Sequence, residues 1–291
     1  MSSDIMPMTE PRPRRQLSQG SGATDAALLF DEPGPRGRIL IAIGSVVAVI
    51  GIAGLAAAVL YRLDLAGQLD YPKWRYFLGQ SVVSQLLQAA GTTLTLGGVA
   101  AVLTFPLGIA LGWLRLLDNR PIKWLVGLWV DAMRAVPMLL LVYFFLLVVP
   151  RFATISDFWK LALPIVMCTS ATTAEVFRSG VRALDRGQTE AAWALGMSPS
   201  LTMRLILAPQ ALRLMLPTLI TQMVTIIKGT TLAYVLAYPE LMYRGSTMIG
   251  QAKIDAHLSV FFQTYVIIAV LYIIVNWSLG ALARYIESRT R

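Results

Sequence analysis

An all-α integral membrane protein with six crossings is the fold class this sequence predicts, and three observations lead there. Of the 291 residues, 56% are hydrophobic and only 14% charged, against roughly 25% charged in soluble globular domains. Uncharged stretches recur at lengths suited to the hydrocarbon layer, which takes about 20 residues of helix per crossing. The net charge is +9, yet the basic residues sit at the ends of apolar stretches. That placement serves orientation in a bilayer, whereas nucleic-acid binding would gather them on one face.

The elements follow in order. Residues 1–37 mix Pro, Ser, Gly and Arg and read as a disordered cytoplasmic tail. Ile39–Tyr61 runs 23 residues without a charge, about 34 Å of helix at ~1.5 Å per residue. Ala56-Ala57-Ala58 has the look of a signal-peptidase site. The lead before this helix, however, carries Asp4, Glu10, Asp25, Asp31 and Glu32 and is too long and acidic for an ordinary signal. An uncleaved anchor is therefore expected, with residues 38–75 forming an extra N-terminal helix and an external loop. Residues 76–291 then make up the main transmembrane domain.

No charge occurs from Tyr76 to Leu114, too long for one crossing. Tyr76–Gln88 is expected to be an interfacial lead and Ala89–Leu114 the second span. Pro106 is tolerable there if neighbouring helices re-satisfy the freed backbone groups. The third span is expected at Lys123–Val149, the fourth at Trp159–Arg182, the fifth at Leu214–Ala237 and the sixth at Leu258–Arg284. Lys and Arg cluster at the tail, at Arg115–Lys123, from Arg178 to Arg213 and at the C-terminal end. Fewer lie on the other side, namely Arg62, Lys73, Arg75, Arg151, Lys160, Arg244 and Lys253. The bias places both termini, and the segment at 185–213, in the cytoplasm.

That hydrophilic segment is the most informative part of the chain. Asp185–Gln188 has capping-box shape ahead of a short Ala-rich helix. Gly196 can adopt the left-handed conformation that ends a helix. Ser198 is a good N-cap with Pro199 at the first helical position, opening a second helix through about Ala208. Two short helices joined at a glycine make a rigid elbow, with Trp193, Leu195 and Met197 near its corner. Such an elbow transmits a push that a flexible loop would absorb.

Charges within the spans are costly, roughly 2.5–3.5 kcal/mol at a helix centre on insertion scales, and need a partner or a wet pathway. Asp131 and Arg134 stand three apart and can neutralise each other, as can Glu175 and Arg178. Lys228 has no acid within four residues. It is expected either to pair with Glu175 across helices or to lend positive charge to a cavity for a carboxylate substrate. Thr230, Thr231 and Tyr234 follow it, their hydroxyls available to a substrate headgroup or to their own helices.

Glu190-Ala191-Ala192, Gly196, Ile206 and Pro209 together resemble the EAA loop of ATP-binding-cassette importer permeases. Ala208 stands where that pattern has Leu. The likeness extends over about residues 80–290 and is similar to the polar amino-acid branch of type I importers. It includes Thr93-Leu94, Asp131–Arg134 with Pro137, Ala174-Glu175 with Arg178 and Gly180, Gln188, Pro209-Gln210 and Glu287. Lys228 and Thr230 resemble a Lys-Asp-Thr-Ser-Leu motif in which Gly229 replaces the Asp. Leu28, Phe30 and Asp31 through Pro35-Arg36, ahead of the extra helix, are loosely similar to actinobacterial glutamate permease subunits.

The resemblance implies a multi-pass permease subunit of the bacterial plasma membrane, with a five-helix core behind the extra N-terminal helix. The coupling helices would lie at about 185–212. Glu190, Ala191, Ala192, Trp193, Leu195, Gly196 and Met197 would meet an ATP-binding-cassette ATPase dimer. It further implies a second, identical or homologous permease and an extracytoplasmic solute-binding protein. The solute would be a polar amino acid, most simply glutamate or a related acidic or amide one. Lys228, Thr230, Thr231, Glu175 and Arg134 are the residues expected along its path.

The chain has no G-x-x-x-x-G-K-[ST] phosphate loop. ATP and Mg are therefore expected on the partner ATPase, and no cofactor or metal on this chain. A membrane-embedded enzyme is disfavoured, because one His, one Cys168 and no His/Asp cluster make acid–base or metal chemistry hard to assemble. An ion-coupled secondary amino-acid transporter is the alternative, although no internal repeat is evident and the acids sit near helix ends.

Overall fold

The computed structural model describes residues 34–290, the side chains of Pro35, Ala283 and 286–290 excepted. Most of the expected tail, the Leu28–Asp31 likeness and the Glu287 side chain lie outside the described residues. All regular structure among the described residues is helical. The chain divides between Ala66 and Gly67 into two compact units, so residues 67–75 fall in the second.

The first unit is one helix, α1 (Pro35–Leu65), with proline in its first turn and apolar residues on every face. None of its side chains is buried. A 31-residue helix apolar all round spans about 46 Å and suits lipid on all sides.

The second unit opens with the short α2 (Tyr71–Arg75) and a 3₁₀ turn at Tyr76–Leu78. Trp74 Nε1 and Gln263 Nε2 both donate to the Gln68 carbonyl, at 3.2 and 2.5 Å. Helix α3 (Gln80–Leu114) then runs 35 residues without interruption through Pro106. The expected interfacial lead is thus mostly part of the crossing helix. Its polar residues Gln80–Gln88 continue the helical backbone, because no Gly or Pro stops it before Gly91.

The third expected span is not one helix. Helix α4 (Arg120–Ala135) ends at Val136-Pro137, and α5 (Met138–Leu147) leaves at 96° to it. Pro137 forces the residue before it out of the helical region, and Val136 is extended at φ −77°, ψ 128°.

Helix α6 (Asp157–Arg182) occupies the place of the fourth span. It is the most enclosed helix, with Leu161, Ile165, Ser170, Thr173, Ala174 and Phe177 all buried. By length and composition four described helices can cross a membrane, or five if the bent α4–α5 pair counts as one span. The expected six would require α6 as well. Its Thr- and Ser-rich sequence is not apolar because it faces protein rather than lipid.

Gly108 and Gly112 bring α3 against α6. A Cβ at Gly108 would stand 2.5 Å from Thr173 Cβ and 2.8 Å from the Ser170 carbonyl; one at Gly112 would stand 2.6 Å from the Ala174 carbonyl. Across the same seam the Thr104 and Thr169 hydroxyls share a hydrogen bond of 2.8 Å.

Beyond the elbow, α9 (Ala208–Gly229) is followed by a 3₁₀ stretch, Thr230–Leu236, which Ala237 ends at φ 52°. The fifth span therefore changes winding just after Lys228. Helix α10 (Leu241–Asp255) was unforeseen; Glu240 caps it by accepting from the Met242 and Tyr243 amides at 2.9 and 2.8 Å. Helix α11 (Phe261–Thr290) completes the chain. Helices α3, α10 and α11 share one apolar cluster containing Leu86, Ala89, Leu241, Met248 and Ile268.

Candidate functional site: a coupling elbow beneath an ionic cluster

The elbow forms as the residues dictate. Helix α7 (Arg186–Ala194) starts where the Asp185 side chain accepts from the Gly187 amide at 2.7 Å. Its other half is not a capping box, because the Gln188 side chain turns away and accepts from Gln210 Nε2 at 3.3 Å. Gly196 ends the helix at φ 76°. Its amide donates to the Trp193 carbonyl at 2.9 Å and the Met197 amide to the Ala192 carbonyl at 3.1 Å. This paired closure defines a Schellman stop, and the left-handed residue at its centre favours glycine.

Ser198 then caps α8 (Pro199–Thr202), its hydroxyl accepting from the Leu201 amide at 3.4 Å. The second helix of the elbow does not stop near Ala208. A π-helical turn, Met203–Leu207, carries it straight into α9. One continuous rod from Pro199 therefore joins the elbow to the membrane. Ala192 is buried against this frame, whereas Trp193 and Leu195 stand 56% and 82% exposed. Glu190, Ala191 and Gly196 are exposed and Met197 half-buried. An exposed Trp and Leu on a rigid corner form an apolar contact surface.

Above the elbow, the two expected local ion pairs are parts of one cluster. Arg115, just beyond α3, donates through Nη1 and Nη2 to the Asp131 carboxylate at 3.3 and 3.4 Å. Its Nη1 also reaches Glu175 Oε2 at 3.0 Å. Arg178 grips Glu175 with both Nε, at 3.0 Å, and Nη2, while Arg134 Nη1 lies 3.9 Å from Asp131 Oδ1. From its sequence context Arg115 is expected only to be an orientation charge. Its position at a helix end, facing acids 16 and 60 residues away, leaves no local signal.

Glu175, Ser179, Met215 and Thr218 line an open cleft of about 370 Å³ between α6 and α9. Lys228 lies further along α9, exposed. No ion pair to it forms among the described residues, and Glu175 is engaged by Arg115 and Arg178 instead. Thr231 is half-buried and donates to the Lys228 carbonyl at 2.8 Å. Thr230 is fully buried, its hydroxyl donating to the Ile227 carbonyl at 2.7 Å. It faces a node the sequence reading missed, where the Tyr272 hydroxyl meets Glu240, Thr93 and Thr230. Burial pushes the Glu240 carboxyl up from its ordinary pKa, opposed by the bonds it accepts from Met242, Tyr243 and Tyr272.

Residues 104–291 match the family model described as binding-protein-dependent transport system inner membrane component. The chain is 33% identical over 198 residues to the probable glutamine ABC transporter permease protein GlnP of Bacillus subtilis, covering 68% of this chain and 89% of that one. It is 33% identical over 230 residues to the glutamate transport system permease protein GluD of Corynebacterium glutamicum, covering 77% and 82%. Among solved structures, a crystal structure of an amino acid ABC transporter with histidines superposes with a TM-score of 0.64 at 24% identity. It covers 72% of this chain and 95% of that chain.

Proposed function

Because this chain belongs to the binding-protein-dependent transport system inner membrane component family, and is a membrane permease subunit of an amino-acid ABC importer rather than an enzyme, we propose that its solute is glutamate or glutamine and that ATP binding on a partner ATPase drives it through the elbow at Gly196. The single observation that carries the coupling reading is the rigid, exposed corner Trp193–Met197 on a rod continuous with α9. A motor docked there would move a transmembrane helix directly. Glu190, Ala191 and Ala192 set the helix that holds the corner, and ATP with Mg is bound and hydrolysed on the partner. The family description supports a solute-binding protein as donor, and relatives named for glutamine and glutamate support the substrate class.

One subunit offers half a pathway, so a second permease, identical or homologous, completes it. Both termini and the elbow face the cytoplasm in this reading. Lys228, exposed and unpaired among the described residues, supplies positive charge to the path for a substrate carboxylate, with Thr231 beside it. Glu175 and Arg134 contribute from the cytoplasmic cluster and the cleft next to it. The ion-coupled alternative draws no support from any of the relatives.

The test is reconstitution of the complex in proteoliposomes, with binding protein outside and ATP inside. Glutamate or glutamine uptake that stops without ATP, with ion gradients held, is the expected result. Uptake that follows an ion gradient in the absence of the ATPase refutes the reading.

A further inference from the structure

We propose that the Arg115–Asp131 contact is a second link, beside the rod that leads into α9, through which movement of the elbow reaches the packing around the Lys228 segment. Arg115 and Asp131 act as positioning residues and do not touch the solute. The inference rests on the importer reading above and adds an internal route to it.

Helices α3 and α6 move as one body. At Gly108 and Gly112 their surfaces approach too closely for even a methyl group, and such a seam cannot slide without opening. Helix α6 ends at Arg182, three residues before α7, so displacement of the elbow is delivered to the α3–α6 pair.

Helix α4 is held quite differently. Of its 16 residues only Gly127 and Val130 are fully buried, Val130 packing with Ala171 and Ala174 and the half-buried Val126 and Met133 beside it. The second tie is ionic, with Arg115 reaching from the end of α3 to Asp131 while also holding Glu175 of α6. The other charges facing it are Arg134, on Asp131, and Arg178, on Glu175.

What α4 does next matters. Through the 96° bend it continues into α5, whose first residue is Met138. Met138 Sδ lies 3.4 Å from where a Cβ at Gly229 would stand, and the side chain packs beside Ile165 and Ile226. The position of α4 therefore bears on the Met138 contact at Gly229, a place that Ile165 of α6 also lines. A half-wet ion pair suits such a joint: the Asp131 side chain is 60% exposed, so the contact is directional yet stabilises the fold only slightly. It can be made and broken where the glycine seam cannot, as elements that switch between two packings require.

The test needs no knowledge of the solute. Cys168 is the only cysteine of this chain and is buried, so Lys228→Cys gives this chain one accessible thiol, and its labelling is read on this subunit's own band from the intact complex with the ATPase. Labelling by a water-soluble maleimide is compared between nucleotide-free and ATP–vanadate-trapped states. The rates are expected to differ by at least about fivefold, the lower end of typical coupling. Adding Asp131→Asn should at least halve that ratio, about what losing one of two routes predicts, while the ATPase still co-purifies, whereas Asp131→Glu should preserve it.

Should Asp131→Asn fail to assemble, Arg115→Lys carries the same expectation. It keeps a cation beside Glu175 but loses the two-pronged grip on Asp131. An unchanged ratio in the assembled variant overturns the proposal, as does Lys228→Cys labelling that ignores nucleotide. Failure of the unmodified complex to take up solute with ATP would strike the importer reading instead, leaving the labelling result to judge the link.

Discussion

The Tyr272 hydroxyl donates to Glu240 Oε2 at 3.0 Å, joining α11 to the fully buried cap of α10. Glu240 also accepts from two amides, and the Leu241 amide donates to Thr93 Oγ1 on α3 at 3.1 Å. Helices α10 and α11 thus meet at the Glu240 carboxyl, and α3 joins them through the neighbouring Leu241 amide. Glu240→Ala leaves buried donors without partners, at a cost of about 1–3 kcal/mol for each group that water cannot reach. The thermal midpoint of the purified complex should fall, and Glu240→Gln, which keeps one acceptor, should fall less. Equal midpoints for Glu240→Ala and the unmodified chain would remove the node from the account.

Glycines along α3 make a paired prediction. Gly108→Ala places a methyl against Thr173 and the Ser170 carbonyl, and overpacking of this kind costs about 1–3 kcal/mol. Gly98 meets nothing within 4 Å, so Gly98→Ala should be neutral or gain up to about 1 kcal/mol of helix propensity. Thermal unfolding of the two variants side by side checks this; a drop for both would show that α3 is sensitive to any added bulk.

Which parts of this arrangement could be read from the residues follows their physics. Length and lack of charge located α1, α3, α9 and α11, because lipid imposes one rule on every face. Gly196, Ser198 and Pro199 announced the elbow, since capping is local in sequence. Helix α6 is expected at Trp159–Arg182, yet its polar interior is explained only by the neighbours around it. The break at Pro137 was hidden because the apolar run continues across it, and hydropathy is blind to direction. Arg115 binds partners far along the chain, and nothing adjacent marks it. Glu240 is a local cap of α10, but its bond to Tyr272 arises from packing alone.

At the elbow, backbone strain and surface chemistry can be separated. A Cβ at Gly196 would touch nothing within 4 Å, yet φ there is 76°. A side chain pays only the left-handed penalty of roughly 1–2 kcal/mol, which Asn tolerates best. Gly196→Asn should therefore retain ATPase association, while Gly196→Asp adds a charge to the exposed corner and should lower the amount of ATPase co-purified. If Gly196→Asp binds the ATPase and transports normally, the corner is not the docking surface.

Lys228 separates a solute contact from a structural brace. It is exposed, and among the described residues it holds no carboxylate, so removing it breaks no internal pair. Lys228→Ala should leave assembly and thermal midpoint unchanged while reducing glutamate or glutamine uptake per ATP hydrolysed, and Lys228→Arg should keep part of that uptake by keeping the charge. Loss of assembly in Lys228→Ala would instead make the lysine a contact with the second permease, and undiminished uptake would take it out of the path.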